Sequence, residues 1–78
     1  GPGVTIQYRV AASKSDERVE GPDGADVVVT IALTDCALAP EVAFMRGRLK
    51  STGPTGPLLD ALRTGEVAAA LARLSGRS

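Results

Sequence analysis

The sequence predicts an α+β domain: a small, mainly antiparallel β-sheet with helices packed on one face. Three observations point there. Residues 4–10 alternate apolar and polar side chains with the period of two that marks a strand, and residues 26–33 form a second run rich in β-branched side chains. The last third of the chain instead carries leucines at helical spacing. Between these blocks Gly and Pro punctuate the sequence at turn positions.

The first strand places Val4, Ile6, Tyr8 and Val10 on one face, and Thr5, Gln7 and Arg9 on the other. Residues 13–24 are polar and end in Pro22-Asp23-Gly24, a turn sequence. A short strand around Arg18-Val19-Glu20 fits inside this connection. In the second long strand Val27, Val29, Ile31 and Leu33 share a face, while Val28, Thr30 and Ala32 share the other. That second face is still fairly apolar, so the strand reads as central.

Pro40 suits the first position of a helix, where its missing N–H is no loss. Glu41 follows in the first turn, where a negative charge is favourable. The helix is short, residues 40–46, and Gly47 stops it. Arg48, Leu49 and Lys50 then alternate out, in, out as a strand that Gly53 and Pro54 end. The single Phe and the single Met, Phe44 and Met45, stand side by side at this turn, and both are expected to face inward.

Leu58, Leu59 and Leu62 form one helical stripe; Val67, Leu71 and Leu74 form another. The step from 62 to 67 breaks the helical period at Thr64-Gly65. Two helices are predicted, about 57–63 and 65–74, with Thr64 as N-cap of the second. The second is rich in alanine and intrinsically helical.

Residues 43–53, Ala-Phe-Met-Arg-Gly-Arg-Leu-Lys-Ser-Thr-Gly, resemble the signature of the sterol carrier protein type 2 family. The preceding Ala25-Asp26-Val27-Val28-Val29-Thr30-Ile31 is similar to a strand of that family, and residues 55–62 to its closing helix. The resemblance spans roughly residues 25–64. It implies the family's fold and a tunnel for a fatty or sterol-like ligand. Ser51 stands where the family tends to carry Val or Ile. The sequence opens directly on a strand, without the family's N-terminal covering helix. Three arrangements stay open: an open groove, a pocket completed by a partner subunit, or a vestigial scaffold.

Composition bounds the function. The chain has 78 residues, with nine basic and nine acidic side chains and a formal net charge of zero. That size supports one domain with a marginal core. Gly1-Pro2 reads as a cleavage scar, leaving residues 3–78 as the domain. The balanced charge argues against nucleic-acid binding. No apolar run is long enough to span a bilayer and no signal peptide is visible, so a cytoplasmic protein is expected. The chain contains no His, which removes the commonest general base and metal ligand. Cys36 has no His to activate it and stands beside Asp35, which opposes thiolate formation. Asp16, Glu17, Glu20, Asp23 and Asp26 lack EF-hand spacing. Residues 53–57 lack the Gly-Lys-Ser/Thr ending of a phosphate loop. No catalysis, cofactor or metal is therefore expected. Arg46, Arg48 and Lys50 make a small basic stripe, suited to anionic lipid head groups or a coenzyme A phosphate, or to plain solvation.

The leading expectation is non-catalytic binding of a hydrophobic small molecule, lipid or sterol-like, between sheet and helices. Its expected lining is Ile6, Tyr8, Val29, Ile31, Leu33, Phe44, Met45, Leu49, Leu58 and Leu62. The alternative is an assembly domain that meets another protein through the same groove, with no ligand. The stripe Val67, Leu71 and Leu74, out of phase with Leu58 and Leu62, further predicts a homodimer through those three residues.

Overall fold

A computed structural model describes residues 3–76 of the chain; Gly1-Pro2 lies outside them. Four strands run in the order β1 (Ile6–Ala11), β2 (Glu17–Glu20), β3 (Val27–Ala32) and β4 (Lys50–Thr52). A 3-10 turn, Leu33–Ala37, leads from β3 into α1 (Pro40–Met45). After β4 come α2 (Thr55–Thr64) and α3 (Glu66–Ser75). The domain is α+β, as the alternation and helical spacing predict.

The sheet order is β2-β1-β3-β4. The two outer pairings, β1 with β2 and β3 with β4, are antiparallel. The central pair, β1 and β3, is parallel, with Tyr8 opposite Val29 and Val10 opposite Ile31. The segment between β2 and β3 must therefore pass across the start of β1. Gly21 makes this passage close: a Cβ there would run into the Ile6 carbonyl and the Gln7 backbone. Thr5 and Asp26 clasp the two strands at this end. The Thr5 amide and hydroxyl donate to Asp26 Oδ2 at 3.0 and 3.3 Å, and the Asp26 amide donates to Thr5 Oγ1 at 3.1 Å.

The crossing segment corrects one expectation. Gln7 belongs to the polar face of the first strand, where exposure is expected, yet it is only 2% exposed. Its Nε2 donates to Asp23 Oδ1 at 3.1 Å and toward the Gly21 carbonyl at 3.5 Å, while its Oε1 accepts from Arg9 Nη1 at 2.7 Å. A buried amide is tolerated because each end has a partner.

The inner face carries the core. Tyr8, Val10, Val27, Val29, Ile31 and Leu49 meet Ala43, Leu58, Ala61, Leu62, Val67, Ala70 and Leu71 from the helices. Ile6, Leu33, Leu38, Phe44 and Leu74 pack around its rim. With one Tyr and one Phe in the chain, this core is aliphatic. Each Val, Leu or Ile fully buried in it contributes about 1.5–3 kcal/mol.

Gly65 separates α2 from α3 and takes a left-handed conformation, φ 87°. This corrects the placement of the cap. Thr64 ends α2, and its hydroxyl donates back to the Ala61 carbonyl at 3.4 Å. It makes no cap for α3. The turn at Gly65 also re-aims the chain, so the second stripe faces the sheet again. Val67 is fully buried, Leu71 is 4% exposed, and Leu74 packs against the core rim. The expected exposed seam of Val67, Leu71 and Leu74 is thereby corrected, because Val67 and Leu71 are buried inside their own domain and Leu74 is half-buried at its rim.

Polar ties fix α3 against the two strands beneath it. Glu20 and Arg18 share a face with Tyr8 and Val10, which they oppose. Arg73 reaches Glu20 through two hydrogen bonds of 2.9 and 2.6 Å. Arg18 donates to the Leu74 carbonyl at 2.9 Å, near the end of α3. That pairing suits a helix C-terminus, whose last carbonyls lack partners. The Tyr8 hydroxyl donates to Glu66 Oε2 at 2.9 Å, at the start of α3.

Candidate functional site: an apolar cleft beside α3

The segment from Cys36 to Pro40 runs alongside α3 and leaves a cleft of about 380 Å³. One wall is Cys36, Ala37, Leu38, Ala39 and Pro40; the other is Ala68, Leu71, Ala72 and Ser75. The helical wall follows from spacing. Residues 68, 71, 72 and 75 are three and four apart and share one face. Two of them are alanines, so the helix surface is low here, between the taller Leu71 and Leu38. Leu38 is held in place by its amide, which donates to the Asp35 carbonyl at 3.0 Å. Pro40 then fixes the entry into α1.

The polar side chains on this lining bond to backbone. Ser75 Oγ donates to the Ala72 carbonyl at 3.3 Å, and Cys36 Sγ to the Ala32 carbonyl at 3.7 Å. The lining therefore offers a guest mainly methyl, methylene and ring carbons. No charged side chain borders it. Such a cleft accommodates an apolar group. Its volume is near the lower end of small-molecule sites, about 300–1,000 Å³.

The residues expected to line a tunnel fall into three groups. Tyr8, Val29, Ile31, Leu49, Leu58 and Leu62 are buried in the core, in contact with one another and with the helices. Ile6, Leu33 and Phe44 are half-buried at the core rim. Met45 corrects the expected inward placement, since it is 76% exposed. Adjacent helical residues point about 100° apart, and in α1 the inward position belongs to fully buried Ala43. None of the ten borders the cleft beside α3. Ile6 borders a second cleft of about 330 Å³ with Val4, Pro57, Asp60, Ala61, Thr64 and Glu66. The residues that form the first cleft were overlooked because alanines in a helix read as propensity alone. The available signal was Ala68 and Ala72, four apart, on the same side as Leu71.

Electrostatics concentrate on the other flank of α3. Burial raises the Tyr8 hydroxyl above its ordinary range, and the hydrogen bond and negative charge of Glu66 push it the same way. The hydrogen bond from Arg73 holds the Glu20 carboxyl below its ordinary value. Arg9 does the same for Glu17, 2.6 Å away on the outer face. These groups position α3 and β2; they do not border the apolar cleft. Among the described residues no group of three His, Cys, Asp or Glu could hold a metal ion.

Sheet and helices together define a sterol carrier protein type 2-like fold. The chain is similar to the solved structure of sterol carrier protein 2 from Yarrowia lipolytica in its apo form. The two share 17% sequence identity and a TM-score of 0.51, over 91% of this chain and 68% of that one. No protein-family profile matches the sequence, and no curated protein matches it by sequence. The likeness is one of fold. Among the described residues no helix is long and apolar enough to cross a membrane.

Proposed function

We propose that this chain binds a hydrophobic small molecule of lipid type, without catalysis, in the cleft between residues 36–40 and α3. The observation that carries this reading is the lining itself: small apolar side chains whose polar neighbours bond to backbone. The fold adds support, since the structure it resembles is named as a sterol carrier. The binding site is an open groove rather than a closed tunnel.

Energetics set the expected affinity. An acyl chain of about ten methylenes, half covered, gains roughly 4 kcal/mol. Binding is then weak, about millimolar, and tightens with chain length until the groove is full. Titration with saturated fatty acids of increasing length, below their micelle concentrations, tests this. A saturable signal with one-to-one stoichiometry supports the reading. If no acid saturates the protein, and a variant in the groove changes its association with another protein, the groove is an assembly surface instead.

A further inference from the structure

Four arginines among the described residues are tied to acidic or carbonyl partners. Arg9, Arg63 and Arg73 pair with Glu17, Asp60 and Glu20, and Arg18 donates to the Leu74 carbonyl. The corner where α1 turns into β4 is different. Arg46, Arg48 and Lys50 are exposed there, and among the described residues none of them forms an ion pair. The turn that carries them is firmly built. The Gly47 amide donates to the Phe44 carbonyl at 3.1 Å, and the Arg48 and Leu49 amides both donate to the Ala43 carbonyl, at 2.8 and 3.1 Å. Ala43 and Leu49 anchor it in the core.

Met45 comes immediately before these cations and is the most exposed of the large apolar side chains, at 76%. Arg48 and Lys50 also border a shallow depression of about 310 Å³ with Thr30, Ala11 and Ala32. Asp35 is the one carboxylate on that lining, and Glu41 stands exposed in the first turn of α1. The corner itself carries three cations within five residues, on a chain whose formal net charge is zero. An exposed, flexible apolar side chain followed within five residues by three exposed basic ones suits the boundary between acyl chains and head-group phosphates.

We propose that this corner docks the chain on an anionic bilayer surface. Met45 enters the head-group layer, and Arg46, Arg48 and Lys50 meet lipid phosphates. The inference is independent of the cleft, because bilayers alone test it. Each basic side chain near an anionic leaflet strengthens partitioning about five-fold, so three together contribute roughly a hundred-fold.

The experiment is co-sedimentation of the chain with phosphatidylcholine vesicles, with and without phosphatidylserine. Binding should appear with phosphatidylserine and fall as salt screens it. Arg46→Gln/Arg48→Gln/Lys50→Gln should weaken it about a hundred-fold, and Met45→Ser about ten-fold. Both variants should keep the wild-type melting temperature, since all four side chains are exposed. Arg63→Gln, a cation elsewhere on the surface, should bind like wild type. Failure of the wild type to bind, equal binding to both vesicles, or undiminished binding by the triple variant would overturn the proposal. So would an equal loss in Arg63→Gln, which would mean charge alone without a docking corner. Displacement by inorganic phosphate, but not by chloride at equal ionic strength, would also overturn it, by revealing a discrete anion site.

Discussion

Replacing Gly65 by Ala tests the joint on which the helical layer depends. Gly65 has φ 87°, and a Cβ built on it meets nothing within 4 Å. The substitution therefore adds backbone strain without a steric clash. An alanine held in the left-handed region costs about 1–2 kcal/mol. Loss of freedom in the unfolded chain returns roughly 0.4–1 kcal/mol. The net expectation is destabilisation of about 1 kcal/mol, and for a domain this size that lowers the melting temperature by roughly 4–8 °C. A single helix running through residue 65 would give the opposite sign, since Ala exceeds Gly in helix propensity by about 1 kcal/mol. Thermal and urea denaturation followed by circular dichroism measure both quantities. A higher melting temperature for Gly65→Ala would refute the two-helix joint, and with it the account of how Val67 and Leu71 reach the core. Gly53→Ala provides the contrast. Its Cβ would collide with the Asp26 carbonyl, so this change should lose far more stability.

The remaining predictions concern burial and pH. Leu71→Glu places a charge at a site that is 4% exposed; it should unfold the domain or cost more than about 4 kcal/mol, measured by urea titration. Met45→Ala should shift stability by no more than about 0.5 kcal/mol in the same assay, because Met45 stands outside the core. The Tyr8 pKa is raised in the folded state, so its contribution is complete below the ordinary tyrosine value of 10.0 and is lost as pH rises beyond it. Alkaline unfolding followed by circular dichroism should show that decline in the wild type, and Tyr8→Phe should flatten it. Glu20 is shifted downward by Arg73, so its smaller, solvent-screened contribution is present above its ordinary value of 4.5 and disappears on acidification. Glu20→Gln should reduce the acid dependence of the melting temperature.

Much of the fold was legible because side-chain period reports directly on buried faces. Val27, Val29 and Ile31 alternate, and all three lie in the core. Period does not carry strand direction, so the parallel pairing of β1 with β3 was not readable. The burial of Gln7 follows from that pairing, through the segment that crosses β1. Met45 was misplaced because adjacency to Phe44 was given more weight than helical phase. The stripe at Val67, Leu71 and Leu74 was read as surplus because phase was carried straight through Gly65, whose left-handed turn resets it. The cleft escaped notice for a related reason. It is bounded by short side chains and by the path of residues 36–40, and composition does not reveal where such a segment passes a helix.

The central claim is that the groove beside α3 takes an apolar guest. Ala68 borders it from an exposed position on the helix, so Ala68→Phe adds a ring over the groove while leaving the core untouched. Calorimetric titration of wild type and Ala68→Phe with one saturated fatty acid, alongside their melting temperatures, measures the claim directly. The account predicts saturable one-to-one binding by the wild type, and loss of that binding in a variant that melts at the same temperature. Equal affinity in wild type and Ala68→Phe, or no saturable binding by either, would contradict it.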